Sequence, residues 1–587
     1  MVRSFYDNAE ALVLDGLESI ALLRSDISLD QATKTIWLHD RKSSQVALIS
    51  GGGAGHEPAH AGYVGDGMLT AAVSGFVFAS PSVAQILSAI TRVAGPAGVL
   101  LIIKNYTGDV FHFRLAAEKA RVALGIPVEV LTVGDDVSVG RRKSGKVGRR
   151  GLAGTVLVHK ILGTCSRDTG AQLSKLLELG NEVVSNLVTA GVSLEHVQIP
   201  GRDAIPAAVD DQVELGMGIH NEPGCLLLNP RPPLANIINM MLDQLLDTKD
   251  EDRAYVNFAD AQHVVLMVNN LGGLSPLEFG GITGRVIQAL KTRNIVPTLV
   301  LSGTYMTSLN GPGFSITLLK ATSEMVGYLE APTNAAGWGT LNVSRLHDKP
   351  PTEAVAQINL EDGHAKAVES SGIAFDSATF KRAILRSCQN VIDAEPLITQ
   401  YDTLVGDGDC GVTLSRGARA AMSRVNEISD PNDVVSTINK LAGIMETDLD
   451  GTSGAIYSIF FTALAAELRA TTSSSMSHEA WVQAANRSLD KLQQATPARQ
   501  GDRTLMDALE PFIKSLVQGK SLADAVAAAK AGMEATKGMK ASLGRAVYVP
   551  ENILERMELF VFWKDLKPQL MSEEPEIYAL EVDRFTE

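Results

Sequence analysis

The chain has 587 residues, 45% of them apolar and 20% charged, which is ordinary globular composition but too long for one hydrophobic core. The formal net charge of −15 argues against nucleic acid as a partner, because phosphate binding needs clustered Lys and Arg. No apolar stretch approaches the ~20 residues of a membrane helix, and the first residues lack an apolar signal core, so a cytoplasmic protein is expected.

The first part of the chain alternates short apolar runs with longer helical patterns. The runs are Val46–Ser50, Val99–Ile103, Val128–Val133, Val264–Val268 and Ile295–Leu301. Each is continuous rather than alternating, as in strands buried on both faces. This predicts a doubly wound α/β region with ligands beyond the carboxyl ends of its strands. The third and fourth runs lie far enough apart for a second sub-domain.

Loops after the runs carry polar groups. The first strand runs into Gly51-Gly52-Gly53-Ala54-Gly55-His56-Glu57-Pro58, where glycines let a small ligand touch backbone N–H groups. A plain turn would also account for the glycines, but the adjoining His56 can act as acid, base or donor. The second strand ends in Lys104-Asn105-Tyr106-Thr107-Gly108-Asp109. Lys104 and Asp109 could hold a hydroxyl and remove its proton; alone they would read as a surface ion pair. The basic run Arg141–Arg150 reads as a solvated loop. In Gly216-Met217-Gly218-Ile219-His220-Asn221-Glu222-Pro223-Gly224, glycines on both sides suggest that His220 faces an open cavity rather than serving the core. A neutral imidazole can add to a carbonyl.

From about Trp338 to Ser377 the pattern changes to Pro350-Pro351, charges and few apolar runs, read as the end of one domain and a linker. Beyond Asp376 the apolar period is helical: Phe380, Ile384, Leu385, Cys388, Val391 and Ile392 form one stripe. Ala-rich helical segments follow at Ile456–Ala470 and Leu522–Ala535, so this part is expected to be all-α. The predicted division is 1–345, linker 346–376 and 377–587.

The helical pattern breaks at Asp402-Thr403-Leu404-Val405-Gly406-Asp407-Gly408-Asp409-Cys410-Gly411. Asp402, Asp407 and Asp409 offer clustered hard oxygens suited to Mg²⁺. An Asp/Gly turn or a partial EF-hand is the plainer alternative, but no Glu closes a 12-residue calcium loop. Gly451-Thr452-Ser453-Gly454 then leads into an apolar helix and could be an anion site or an ordinary N-cap. The four cysteines, Cys165, Cys225, Cys388 and Cys410, form no CxxC pair and read as reduced thiols.

The segments GGGAGHEPAHAGYVGDGMLTAAVSG, IIKNYTGD, ELGMGIHNEPG, NNLGG (Asn269–Gly273) and YMTSLN (Tyr305–Asn310) resemble the signature segments of the dihydroxyacetone kinase family. The resemblance spans nearly all of the first domain. It implies an α/β ketone-binding domain of two sub-domains and an antiparallel helical barrel binding Mg·ATP. It implies that His220 forms a hemiaminal with the ketone, that Gly53, Ala54, Gly55, His56, Lys104 and Asp109 bind it, and that Asp109 is the base with His56 beside it. A reversible covalent bond would fix a ligand with few atoms to bind.

In the second domain, Gly501-Asp502-Arg503-Thr504-Leu505 and Gly544-Arg545-Ala546 resemble later nucleotide-binding segments of the family. The resemblance implies magnesium on Asp402, Asp407 and Asp409. It implies nucleotide contacts from Asp407, Gly408, Asp409, Cys410, Thr452, Ser453, Gly454, Thr504, Leu505 and Arg545. Two departures stand out: Asp450 occupies a family glycine position, and the chain after Tyr548 continues Val549-Pro550-Glu551 where a PDPGA-like stretch is expected. The implied activity is ATP-dependent phosphorylation of dihydroxyacetone by a homodimer whose two sites must face each other across domains. Alternatives are a triokinase that also takes glyceraldehyde and has FMN cyclase activity, a phosphoprotein-recharged form, against which the fusion argues, and an inactive sensor of the same fold.

Overall fold

The computed structural model describes residues 4–40, 42–167, 170–201, 211–339, 343–346, 370–405, 407–428, 432–449, 451–471, 475–537, 539–543 and 547. The chain divides into two compact units, residues 1–352 and 353–587. Pro350, Pro351, Asp450, Arg545 and the segment after Tyr548 lie outside the described residues.

The first unit holds two sheets. One has the strands β1 (Ile27–Asp30), β2 (Thr35–Leu38), β3 (Ala47–Ala54), β4 (Ala71–Val77), β5 (Val99–Lys104) and β6 (Val128–Val133), in the order β1-β2-β4-β3-β5-β6. β4, β3, β5 and β6 run parallel, and β1 and β2 add an antiparallel edge. Every residue of β3 and β5 is buried, which explains why both are apolar or small up to Lys104, the last residue of β5. Helices Val83–Val93 and Thr107–Leu124 cover one face with Ile86, Ile90, Phe113 and Ala117.

The other sheet has the strands β7 (Leu187–Ser193), β8 (Val213–Leu215), β9 (Leu226–Leu228), β10 (His263–Asn270), β11 (Leu299–Gly303), β12 (Gly313–Ala321) and β13 (Val343–Arg345). Their order is β13-β11-β10-β12-β7-β8-β9, and here the doubly wound expectation needs correction. Only β10 and β11 are parallel; the other pairings are antiparallel. The continuous runs misled because burial, not strand direction, sets such a pattern, and β7 and β12 are as buried as β10.

The helix Thr155–Cys165 lies in the core that also holds Tyr63, Leu157, Ile161, Met267 and Tyr305. It is buried almost all round, so it carries no amphipathic stripe.

The second unit is helical among its described residues. Its helices are Ser377–Val405, Cys410–Ile428, Val434–Asp448, Gly451–Arg469, His478–Ala495, Met506–Val517 and Leu522–Ala535. Asp376 caps the first by accepting the N–H groups of Ala378 and Thr379 at 3.1 and 3.0 Å. Apolar side chains of these helices enclose a cavity of about 310 Å³ lined by Cys388, Leu414, Tyr457, Phe460, Leu505 and Phe512 among others.

Candidate functional site

In the first unit, the ends of β3, β4 and β5 and the turn after β8 bring titratable side chains together. His56 follows β3 and is fully buried. Its Nδ1–H donates to the Thr307 carbonyl at 2.8 Å, which turns Nε2 toward His220 Nε2 at 3.0 Å. His220 in turn donates Nδ1–H to Glu222 Oε1 at 2.9 Å, while its backbone N–H reaches Glu222 Oε2 at 2.8 Å. The Glu222 acceptor on Nδ1 favours the His220 tautomer whose Nε2 carries a lone pair toward His56.

Burial, then the Lys104 cation, hold His56 far below the usual imidazole range, and burial lowers His220 as well. Burial would raise Glu222, but the hydrogen bonds from His220 more than offset it and hold that carboxyl at about 2. His220 is therefore a neutral imidazole at neutral pH, fixed by an ionised carboxylate in the tautomer that frees Nε2.

Lys104 ends β5 and is wholly buried, with no hydrogen bond to its Nζ among the described residues. Burial brings its pKa down to about 8, against the pull of Asp109 and Glu222. Asp109 sits in the first turn of Thr107–Leu124, accepts a hydrogen bond from Ser80 Oγ and is raised by burial. Asp109 Oδ2 and Lys104 Nζ lie 3.5 and 3.7 Å from where a Cβ on Gly52 would stand. Gly52 thus faces these two groups, whereas Gly53 is pressed against Phe78 and Ala79: a Cβ there would meet Ala79 N at 2.5 Å.

Ala54 is the last residue of β3. Gly55, at φ +97°, accepts the Leu309 N–H at 2.7 Å and admits the Phe78 ring at a distance no Cβ could tolerate. The Phe78 ring stacks on His56 at 5.2 Å and meets His220 edge-on at 5.4 Å. Tyr106 also meets His220 edge-on, at 4.5 Å. Phe78, Ser80, Tyr106 and Glu222 were assigned no role from sequence. Glu222 carried a signal, an acid two residues after a glycine-flanked histidine.

The basic run needs correction. Arg149 and Arg150 do not belong to a solvated loop: Arg149 donates to the Leu187 carbonyl at 3.0 Å and lies over Tyr255, and Arg150 donates to Asp136 at 2.8 Å. The buried Asp135 and Asp136 beside them supply a charge partner that linear sequence hides.

In the second unit, Asp402, near the end of Ser377–Val405, accepts the Cys410 N–H at 3.0 Å, closing the acidic loop. Gly408 turns at φ +76° between Asp407 and Asp409. One carboxylate oxygen from each of Asp402, Asp407 and Asp409 lies within 4.8 Å of the others. Three hard oxygens so close, two of them on exposed side chains, fit Mg²⁺, which keeps water and phosphate ligands beside a few carboxylates.

The Cys410 thiol, raised by burial and then by Asp402, pairs with the side chain of Ser453. That contact joins the acidic loop to the first turn of Gly451–Arg469, where Thr452 is exposed and Gly454 buried. A Cβ at Gly454 would lie 1.9 Å from Leu449 O, so the residue must be glycine for the turn to close. Thr504 donates its N–H to Asp507 at 2.7 Å, and Leu505 lines the apolar cavity of the unit.

The Dak1 domain family matches residues 18–337 and the DAK2 domain family residues 404–557. A dihydroxyacetone kinase of Komagataella pastoris is 42% identical, over 95% of this chain and 95% of its own. The chain belongs to the dihydroxyacetone kinase family. A triokinase/FMN cyclase of Homo sapiens is 37% identical, over 92% of this chain and 94% of its own. The crystal structure of the dihydroxyacetone kinase from C. freundii in complex with AMP-PNP and Mg²⁺ matches with a TM-score of 0.64 at 33% identity, covering 94% of this chain and 98% of that one. The family's α/β unit and helical unit are both present, as the sequence segments implied.

Proposed function

We propose that this chain is an ATP-dependent dihydroxyacetone kinase that holds its ketone as a hemiaminal on His220. The observation that carries this reading is the neutral His220 Nε2, fixed by Glu222 and facing His56 Nε2 at 3.0 Å in a buried site. With its proton on Nδ1, His220 keeps an Nε2 lone pair in the ring plane that can attack a carbonyl carbon. In the capture step the Nε2 lone pair forms a bond to the carbonyl carbon. The π pair moves to the oxygen, which takes a proton relayed from solvent by His56. The positive charge left on the ring is opposed by Glu222.

For transfer, Lys104 donates a hydrogen bond to a terminal hydroxyl and Asp109 accepts that hydroxyl's proton. Burial raises the Asp109 carboxyl, which suits it to a base that must also release the proton. The freed oxygen bonds to the γ-phosphorus of ATP as the bond to ADP breaks. Gly53, Ala54, Gly55 and His56 line the ketone side. On the nucleotide side, Thr452, Ser453 and Gly454 present the first turn of a helix to phosphates, and Asp407, Gly408, Asp409 and Cys410 form the adjoining loop. Thr504 and Leu505 serve the nucleoside. Asp402, Asp407 and Asp409 would hold magnesium, whose chemistry is to neutralise phosphate charge.

We divide the chain into a ketone-binding domain, 1–345, a linker, 346–376, and a nucleotide-binding domain, 377–587. It acts as a cytoplasmic homodimer; four free cysteines fit a reducing compartment. The similarity to triokinases supports a second reading in which glyceraldehyde, whose carbonyl can add to the same imidazole, is also phosphorylated. A coupled ADP-release assay with dihydroxyacetone, glyceraldehyde and glycerol tests both. Turnover of dihydroxyacetone is expected and turnover of glycerol is not; efficient glycerol phosphorylation would overturn the hemiaminal reading.

A further inference from the structure

Between β4 and the helix Val83–Val93 the chain makes a turn, Phe78-Ala79-Ser80-Pro81, whose serine the chemistry above does not use. The turn packs onto small residues of two strands. A Cβ on Gly75 would lie 1.9 Å from Ala79 O and 2.9 Å from the Pro81 nitrogen. The Phe78 N–H donates to Ala54 O at 2.9 Å. At the far end Ser82 caps the helix, its N–H donating to Gln85 Oε1 at 2.9 Å. The backbone of the turn is thus placed by strand glycines and a helix cap, independently of the Ser80 side chain.

Two bonds tie this turn to the helix Thr107–Leu124. The Pro81 carbonyl accepts Nδ1–H of His112 at 2.8 Å. The Ser80 hydroxyl donates to Asp109 Oδ1, one turn earlier on the same helix. The other carboxylate oxygen faces elsewhere. Oδ2 lies 3.5 Å from where a Cβ on Gly52 would stand, and Lys104 Nζ lies 3.7 Å from the same point. Gly108 makes room for the serine: a Cβ there would lie 2.8 Å from Ser80 Oγ and 3.5 Å from Ser80 Cβ. Outside its own helix, no other atom of the described residues comes within 4 Å of that point.

We propose that Ser80 is a positioning residue for phosphoryl transfer, holding Asp109 Oδ1 so that Oδ2 stays aimed at the ketone hydroxyl. The inference rests on the reading of Asp109 as the base and adds what keeps that base in place. The last torsion of an aspartate is soft and roughly two-fold, so an unanchored carboxylate samples orientations in which neither oxygen faces the hydroxyl. A charge-assisted bond from Ser80 removes that freedom. It leaves an Oδ2 lone pair to take the proton as the hydroxyl oxygen bonds to the γ-phosphorus and the bond to ADP breaks. The same bond steadies the ionised form: burial raises the Asp109 carboxyl, and Lys104 and the Ser80 hydroxyl oppose the rise. The groups facing the carboxylate are Ser80 from the turn, Lys104 from β5, His112 from its own helix and His220 from the turn after β8.

The test uses the full-length protein, dihydroxyacetone carrying ¹³C at its carbonyl carbon, and the variants Ser80→Ala, Ser80→Thr and Gly108→Ala. Ser80→Ala should lower kcat roughly 10- to 100-fold, the range of a lost hydrogen bond to a charged group. KM should stay within about threefold, and the tetrahedral ¹³C signal should persist, because capture on His220 does not need the base. Without the Ser80 bond the Asp109 carboxyl rises further, so its ionised form is lost at a higher pH. The acid limb of kcat should therefore move up.

Ser80→Thr keeps the hydroxyl and should recover most of kcat and the wild-type limb. Gly108→Ala adds a methyl group at a helical position that accepts alanine. It turns the Ser80 hydroxyl off the carboxylate while leaving both groups in the protein, so it should reproduce Ser80→Ala. If Ser80→Ala gives no cooperative thermal melt, Gly108→Ala decides alone. A wild-type kcat and acid limb in either folded variant overturns the inference. So does a raised KM at unchanged kcat in Ser80→Ala, which would make Ser80 a ketone ligand instead. A wild-type kcat in Asp109→Asn overturns Asp109 as the base, and this inference with it.

Discussion

The two sites are built on opposite principles. In the first unit His56, Lys104 and Asp109 are all at most 3% exposed, and His56, His220, Asp109 and Glu222 are bound to a neighbouring side chain or carbonyl. In the second unit Asp407 and Asp409 are exposed on a loop, and Thr452 is exposed on a helix end. The difference follows from the ligands. On the proposed function, a small neutral ketone offers little surface and no charge, so fixed, desolvated groups and a covalent bond are what its site would need to supply. On the same proposal, a nucleotide with magnesium brings its own charge and ligands, so a few carboxylates and a helix N-terminus would suffice.

That contrast predicts that damage to one site leaves the other intact. The largest effect is expected from Asp407→Asn, which removes one of three clustered carboxylates: ADP release should fall by ~10³-fold or more while ketone capture continues. Parallel loss of both, measured by coupled assay and by ketone binding, would show the sites to be dependent.

Next in size is His220→Ala. The KM for dihydroxyacetone should rise about 10²-fold, with residual kcat sustained by Asp109 and Lys104. Nucleotide binding, followed by fluorescence titration, should be unchanged.

A smaller effect comes from pH. His220 is depressed below its ordinary 6.5, so the neutral ring persists as pH falls through that value. Capture is full above the depressed pKa and is lost only as pH drops through it. The acid limb of kcat/KM for ketone should therefore lie below pH 6.5, and a limb above it would contradict the burial argument.

The smallest effect is expected from Cys410→Ser. The thiol is raised above 9.0 by burial and Asp402, so it is protonated at neutral pH and contributes only a contact with Ser453. Turnover should stay within about threefold of wild type.

Much of the architecture was legible because burial writes itself into composition. β3 and β5 stand out through the apolar runs Ala47–Ile49 and Val99–Ile103, and the helical stripe at Phe380–Ile392 announces a change of class. The mixed character of the second sheet was not legible, since β7 and β12 are antiparallel neighbours with the same two-sided burial as a parallel strand. The helix Thr155–Cys165 was hidden for the same reason: a helix buried all round has no polar face to mark its period.

At the sites, sequence pointed to residues at strand ends but not to their partners. His56 and His220 are 164 positions apart, and nothing in either segment tells that their Nε2 atoms meet. Arg150 read as one charge in a basic run because its partner Asp136 is defined only by the fold. Phe78, at φ +59°, has no local signal at all; its place is made by Gly53 and Gly55.

The central claim, that ketone is held covalently on His220 independently of the nucleotide site, is tested most directly by the ¹³C spectrum of [2-¹³C]dihydroxyacetone bound to two variants. The account predicts a tetrahedral carbon on Asp407→Asn and an unaltered carbonyl with His220→Ala. A tetrahedral carbon that survives in His220→Ala, or is absent in Asp407→Asn, would contradict it.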